Sequence, residues 1–117
     1  MKEKAKRPKI SPKVQKQQLH DLEHLLSLDV GKFLVLNEEG TQKQWEQAKQ
    51  KAHSDLLKFK GEMEQLAKEM GEPFPQAVHD FIASVNQVLD SADNWVDQAV
   101  VNEHYQTKEK LEKRLKN

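Results

Sequence analysis

From Trp45 to Met70 the sequence carries a helical apolar stripe. Trp45, Ala52, Leu56, Phe59, Met63, Leu66 and Met70 follow one another by threes and fours, with one wider step after Trp45. That spacing is the stripe of an amphipathic helix and is close to a heptad seam, so this part of the chain is committed to packing helix on helix. The flanks agree with the stripe. Thr41 with Gln44 three residues on has the form of a capping box, and Gly71 followed by Pro73 is the usual order of a helix stop. Lys58–Glu62, Lys60–Glu64 and Glu64–Lys68 lie four apart on the outer face, each pair worth about 0.2–0.5 kcal/mol.

A second periodic stretch follows. Val78, Phe81, Ile82, Val85, Val88, Leu89, Ala92, Trp95, Val96, Ala99 and Val100 hold a helical repeat. Ser91, Asp93 and Asn94 fall on its opposite face, so the repeat predicts one continuous helix over 74–101. Fifteen of those residues are apolar, the richest part of the chain, and this predicts a central position in the fold. Two helices of ~42 Å, at 1.5 Å per residue, joined by Gly71-Glu72-Pro73-Phe74-Pro75, predict an antiparallel hairpin.

Ahead of the hairpin, Ser11-Pro12 reads as an N-cap followed by proline at the first helical position. Val14, Leu19, Leu22, Leu25, Leu26 and Leu28 then approximate a stripe to about residue 28. Residues 29–37 contain the short run Phe33-Leu34-Val35-Leu36, which suits either a helix or a buried strand. There is no second strand-like run for it to pair with, and helix is the favoured reading. The tail, 102–117, keeps Tyr105, Leu111 and Leu115 on a thin stripe and is expected to continue as a helix that frays. The fold expected is therefore all-α: a three- to four-helix bundle built on a long antiparallel hairpin, occupying residues 11–117 as one domain. Residues 1–10 are Lys-rich and almost without apolar groups, and read as a disordered basic arm.

Composition narrows the chemistry. The chain has no cysteine, hence no disulfide framework, thiolate nucleophile or Cys-based zinc site. Its N-terminus is basic but leads into no apolar run, so it does not read as a secretory signal, and no stretch approaches a ~20-residue membrane span. A cytoplasmic protein without membrane association is expected.

The net charge of zero is a cancellation between regions. Residues 1–16 carry seven basic groups against one acidic, residues 108–117 five against two, and 17–107 seven against sixteen. No lysine or arginine occurs between Lys68 and Lys108. On a continuous helix Asp90, Asp93 and Asp97, three and four apart, would make an acidic ridge two turns long. Such a ridge suits a basic partner, or the basic tail of a second copy, as well as it suits a solubilising surface. Lys4, Lys6, Arg7 and Lys9 in the arm are the corresponding candidates for phosphate contact.

One motif carries potential catalytic chemistry. His20-Asp21-Leu22-Glu23-His24 fits H-x-x-E-H, in which two histidines of one helix face ligate zinc and the glutamate holds a metal-bound water. Its surroundings do not support that reading, since the helix is thin in apolar residues and the chain is short for a substrate cleft. Solvent-facing histidines are expected, with His20, Glu23 and His24 the only metal candidates. No glutamate has a histidine three residues later, which removes the ferritin-like site, and the four glycines form no phosphate-binding loop. His53 with Asp55 and His79 with Asp80 are too close in sequence to face each other on a helix.

These readings lead to a non-enzymatic helical interaction protein of the adaptor, chaperone, inhibitor or regulator type. It is expected to bind no cofactor, to dock a partner protein with a basic surface and to form a homodimer. The alternative is an accessory nucleic-acid-binding protein acting through its basic ends; a zinc hydrolase through the HDLEH motif comes third.

Overall fold

The computed structural model describes residues 11–91 and 97–116. They form four helices and no strand: α1 Pro12–Glu39, α2 Gln42–Met70, α3 Phe74–Ser91 and α4 Gln98–Lys116. The basic arm, with Lys4, Lys6, Arg7 and Lys9, lies outside the described residues, as do Asp93 and Trp95.

Local signals place the ends. Ser11 accepts a hydrogen bond from the Val14 N–H at 3.3 Å, with Pro12 opening α1. Thr41 and Gln44 make the reciprocal box: the Gln44 N–H donates to Thr41 Oγ1 at 3.2 Å and the Thr41 N–H to Gln44 Oε1 at 3.0 Å. Gly71 ends α2 at φ +81°, a backbone conformation that a side chain disfavours. Gly40, between α1 and α2, has no room for a side chain, because a Cβ there would stand 2.9 Å from both Leu36 Cδ2 and the Leu36 carbonyl.

Two sequence expectations are corrected. Residues 29–37 are helical, as favoured, and run on from α1, so the long antiparallel hairpin is α1 with α2, of 28 and 29 residues, and not 41–70 with 74–101. The continuous helix over 74–101 does not form. α3 stops at Ser91, and α4 starts at Gln98 and packs back along α3. Asp97 makes the new start: its Oδ1 accepts from the Ala99 N–H at 3.0 Å and its carbonyl from the N–H groups of Val100 and Val101. Folding back lets α3 bury apolar surface against both α2 and α4, which a single rod over 74–101 could not do.

The result is two hairpins of unequal length. α3 runs back along α2 from the Gly71 turn and ends level with His53, whose Nε2 is 3.4 Å from Asp90 Oδ1. α4 returns between α3 and α1, with Leu115 and Lys116 beside Lys13, Lys16 and Gln17. Here, in the base, Leu19, Leu26, Leu56, Met63, Val78, Phe81, Val85, Leu89 and Leu111 form the core. Ser84 and Thr107 join hydroxyls at 2.7 Å across the α3–α4 seam. The tip is the remaining end of the long hairpin, α1 beyond about residue 27 and α2 up to about residue 52, extending roughly 16 Å past α3. It is held by Val30, Phe33, Trp45, Ala48 and Ala52, with the Phe33 and Trp45 rings 6.0 Å apart.

Candidate functional site

The HDLEH segment lies on α1 where α4 returns to it, and only part of it assembles as a site. His20 and Glu23, three apart, face α4, whose Glu112 meets them. One donor atom from each of the three residues lies within 4.8 Å of the other two. Glu23 is fully buried; its Oε2 accepts from Ser27 Oγ at 2.8 Å, and its buried Oε1 has no donor. The Glu112 carboxyl lies beside that of Glu23 and accepts at 3.0 Å from Lys108 Nζ. Burial, reinforced by the neighbouring Glu112 charge, pushes the Glu23 carboxyl up to about 7. The His20 side chain is about half exposed, at 46%, so the group opens to solvent on one side.

His24 does not join it. The His20 and His24 rings are stacked, with centroids 6.2 Å apart and planes 5° from parallel. Ring-nitrogen lone pairs lie in the ring plane, so two parallel rings aim them along parallel sheets and not at one point between them. The two-histidine zinc helix suggested by the sequence is replaced by a His–Glu–Glu group whose third member comes from 89 residues further along the chain.

Next to this group lies a second buried ionisable residue. His104 is 1% exposed, between Phe81 and Tyr105 with ring centroids 5.8 and 5.5 Å away, and its Nδ1 has no partner. Burial, with the charge of Lys108, pulls its imidazole down to about 4. A third group sits where tip meets base. Asp29 and Asp55 are in carboxyl–carboxyl contact across the α1–α2 seam, with Lys51 Nζ 2.9 Å from Asp55 Oδ2 and 3.7 Å from Asp29 Oδ1. Burial and the Asp55 contact push Asp29 up to about 6, while Asp55, hydrogen-bonded to Asp29 and Lys51, is held low.

The acidic ridge on one helix is not built. α3 ends at Ser91, Asp97 caps the start of α4, Asp90 faces His53, and Asp93 lies outside the described residues.

The outer faces carry the remaining features. Leu25, Leu28 and Val35 share the face of α1 turned away from the core and are 48%, 56% and 54% exposed. Asp21 lies on the same face ahead of them, and Lys32 on it between Leu28 and Val35. At the far end of the base the two basic segments converge, as Lys13 and Lys16 of α1 line one shallow hollow with Lys116 of α4. No helix among the described residues is long and apolar enough to cross a membrane.

Sequence reasoning missed Glu112, Lys108, His104, Asp29 and Asp55. Glu112, Asp29 and Asp55 matter through groups on another helix, and His104 through its packing on Phe81 of α3; the only signal within reach was that His104 and Glu112 fall near the thin stripe of Leu111 and Leu115. Comparison with protein-family models, with curated proteins and with solved structures finds no match to this chain.

Proposed function

We propose that this protein is a non-enzymatic helical interaction module, of the adaptor, chaperone or regulator type, that assembles through the outward face of α1, first with a second copy of itself. The observation that supports this is the exposed row Leu25, Leu28 and Val35, on a helix whose opposite face is already fully used by Leu19, Leu26, Val30 and Phe33. Charge selects the occupant. Set antiparallel against itself about a two-fold axis near residues 26 and 27, α1 brings Leu25 beside Leu28 of the second copy, Val35 beside Gln18 and Asp21 beside Lys32. A parallel arrangement would oppose Asp21 to Asp21 and Lys32 to Lys32, which like charges disfavour. Light scattering at tens of micromolar is expected to give twice the chain mass, and Leu28→Asp the single chain mass with helicity unchanged. A wild-type monomer removes the proposal.

The convergence of Lys13, Lys16 and Lys116 at one pole supports a second reading, accessory nucleic-acid binding. It requires binding to duplex or single-stranded nucleic acid that weakens steeply with added salt. Salt-independent binding, or none in low salt, removes it.

A further inference from the structure

We infer that His20, Glu23 and Glu112 form a binding site for one divalent transition-metal ion, of the Zn²⁺ class, at the α1–α4 junction. Two independent features point to a ligand. The first is the donor set: one imidazole nitrogen and two carboxylate oxygens converge within 4.8 Å from two helices. Zinc bound by three protein ligands of N and O type, with water completing the shell, holds its donors at about 2.0–2.2 Å from the metal and so roughly 3.3 Å from each other. The second feature is Glu23 itself, whose Oε1 is fully enclosed and has no hydrogen-bond donor. A buried carboxylate oxygen without a donor is costly unless a proton or a cation meets it.

The surroundings fit. Ser27 Oγ holds the other Glu23 oxygen at 2.8 Å, and Lys108 holds Glu112 at 3.0 Å, so two of the three donors are already oriented by hydrogen bonds from outside the set. The half-exposed His20 gives the ion its way in and leaves an open side for water. Binding releases to solvent any proton held by the donor groups, and the Lys108 ammonium stays on the outer oxygen of Glu112 or turns to water. An imidazole in the set selects against Mg²⁺ and Ca²⁺, which prefer all-oxygen shells. The site ties α1 to the last turns of α4, the two segments furthest apart in sequence.

The test is calorimetric titration of the full chain with ZnCl₂, using MgCl₂ as the control, on wild type and three variants. The expected result is one saturable Zn²⁺ site per chain and none for Mg²⁺. His20→Ala and Glu112→Gln should each weaken Zn²⁺ at least tenfold, and His24→Ala should change it less than twofold. Substituting Co²⁺ should give visible absorption that Glu112→Gln abolishes, a readout that a merely destabilised helix would not produce. Circular dichroism accompanies each variant, and if Glu112→Gln loses helicity the contrast of His20→Ala with His24→Ala decides. Absence of a saturable one-to-one site overturns the proposal. So does a loss in His24→Ala equal to that in His20→Ala, which would mark a surface histidine pair.

Discussion

The base and the tip are built from the same two helices and differ in how many neighbours those helices have. In the base, α1 and α2 are covered by α3 and α4, and the seams are tight enough to enclose Glu23 and His104 completely. In the tip, among the described residues, α1 and α2 face only each other. Phe33 and Val30 still reach 0% exposure there, but Trp45 keeps 9%, and Leu34 and Leu36 are only half-buried. A two-helix layer can bury one stripe per helix, and any apolar residue off that stripe stays outside. Leu28 and Val35 are such residues. The added helices complete the inner face of the base, whereas the outer face of α1 stays exposed along both regions, with Leu25 in the base and Leu28 and Val35 in the tip.

The strongest way to break the comparison is to remove an equally buried ring from each region. Phe81→Ala in the base should lower global stability by about 3–5 kcal/mol, seen as a shift of the whole urea transition. Phe33→Ala should instead open the tip locally, with amide exchange accelerated in about 29–52 and the base still protected. If both variants shift one cooperative transition by equal amounts with unchanged local protection, the two regions are energetically one.

A sharper probe uses the two buried ionisable groups of the base, which pull in opposite directions. The folded pKa of His104 is depressed from 6.5 to about 4, so neutral His104 contributes stability fully present above 6.5 and lost as pH falls toward 4. The folded pKa of Glu23 is raised from 4.5 to about 7, so its contribution is fully present below 4.5 and lost as pH rises toward 7. Each is worth up to about 3 kcal/mol, and the windows overlap, so stability of the wild type should vary little across pH 4.5–6.5. Lys108 faces both groups and Glu112 faces Glu23, and both stay charged through that window. His104→Phe should expose the Glu23 trend, with stability rising as pH falls from 7. Glu23→Gln should expose the His104 trend, with stability falling below pH 6.5. Urea unfolding at several pH values reads both, and parallel profiles in the two variants would contradict the assignment.

The smallest expected effect lies at the junction of the helices. Asp97→Ala removes a cap and should cost about 1 kcal/mol, whereas exposed Asp90→Ala should stay within about 0.5 kcal/mol. Equal effects would mean that Asp97 does not start α4.

Features encoded within a few residues were legible in the sequence. The Thr41–Gln44 box, the Ser11-Pro12 start, the Gly71 stop and the buried face from Trp45 to Met70 all follow from local spacing. The break after Ser91 was not legible, because Ala92, Trp95, Val96, Ala99 and Val100 keep the helical period across it. Periodicity reports which face is apolar and is blind to whether a partner of matching length exists. The same blindness hid the true long hairpin, since residues 29–37 become helical by packing on α2. The His20–Glu23 half of the metal group was legible as part of HDLEH. Glu112 was not, because only the folding back of α4 brings it near.

The most direct test of self-assembly through α1 is a distance. The chain has no cysteine, so Glu39→Cys provides a single spin-label site at the exposed end of α1. In the antiparallel pairing centred near residues 26 and 27, the two labels sit about 37 Å apart along the helix axis, from twenty-five residues at 1.5 Å each. Pulsed electron–electron resonance on the labelled protein is expected to show a distribution centred near 35–40 Å, abolished by Leu28→Asp. A short distance of roughly 10–15 Å, as side-by-side parallel helices give, or no dipolar signal at all, would contradict it.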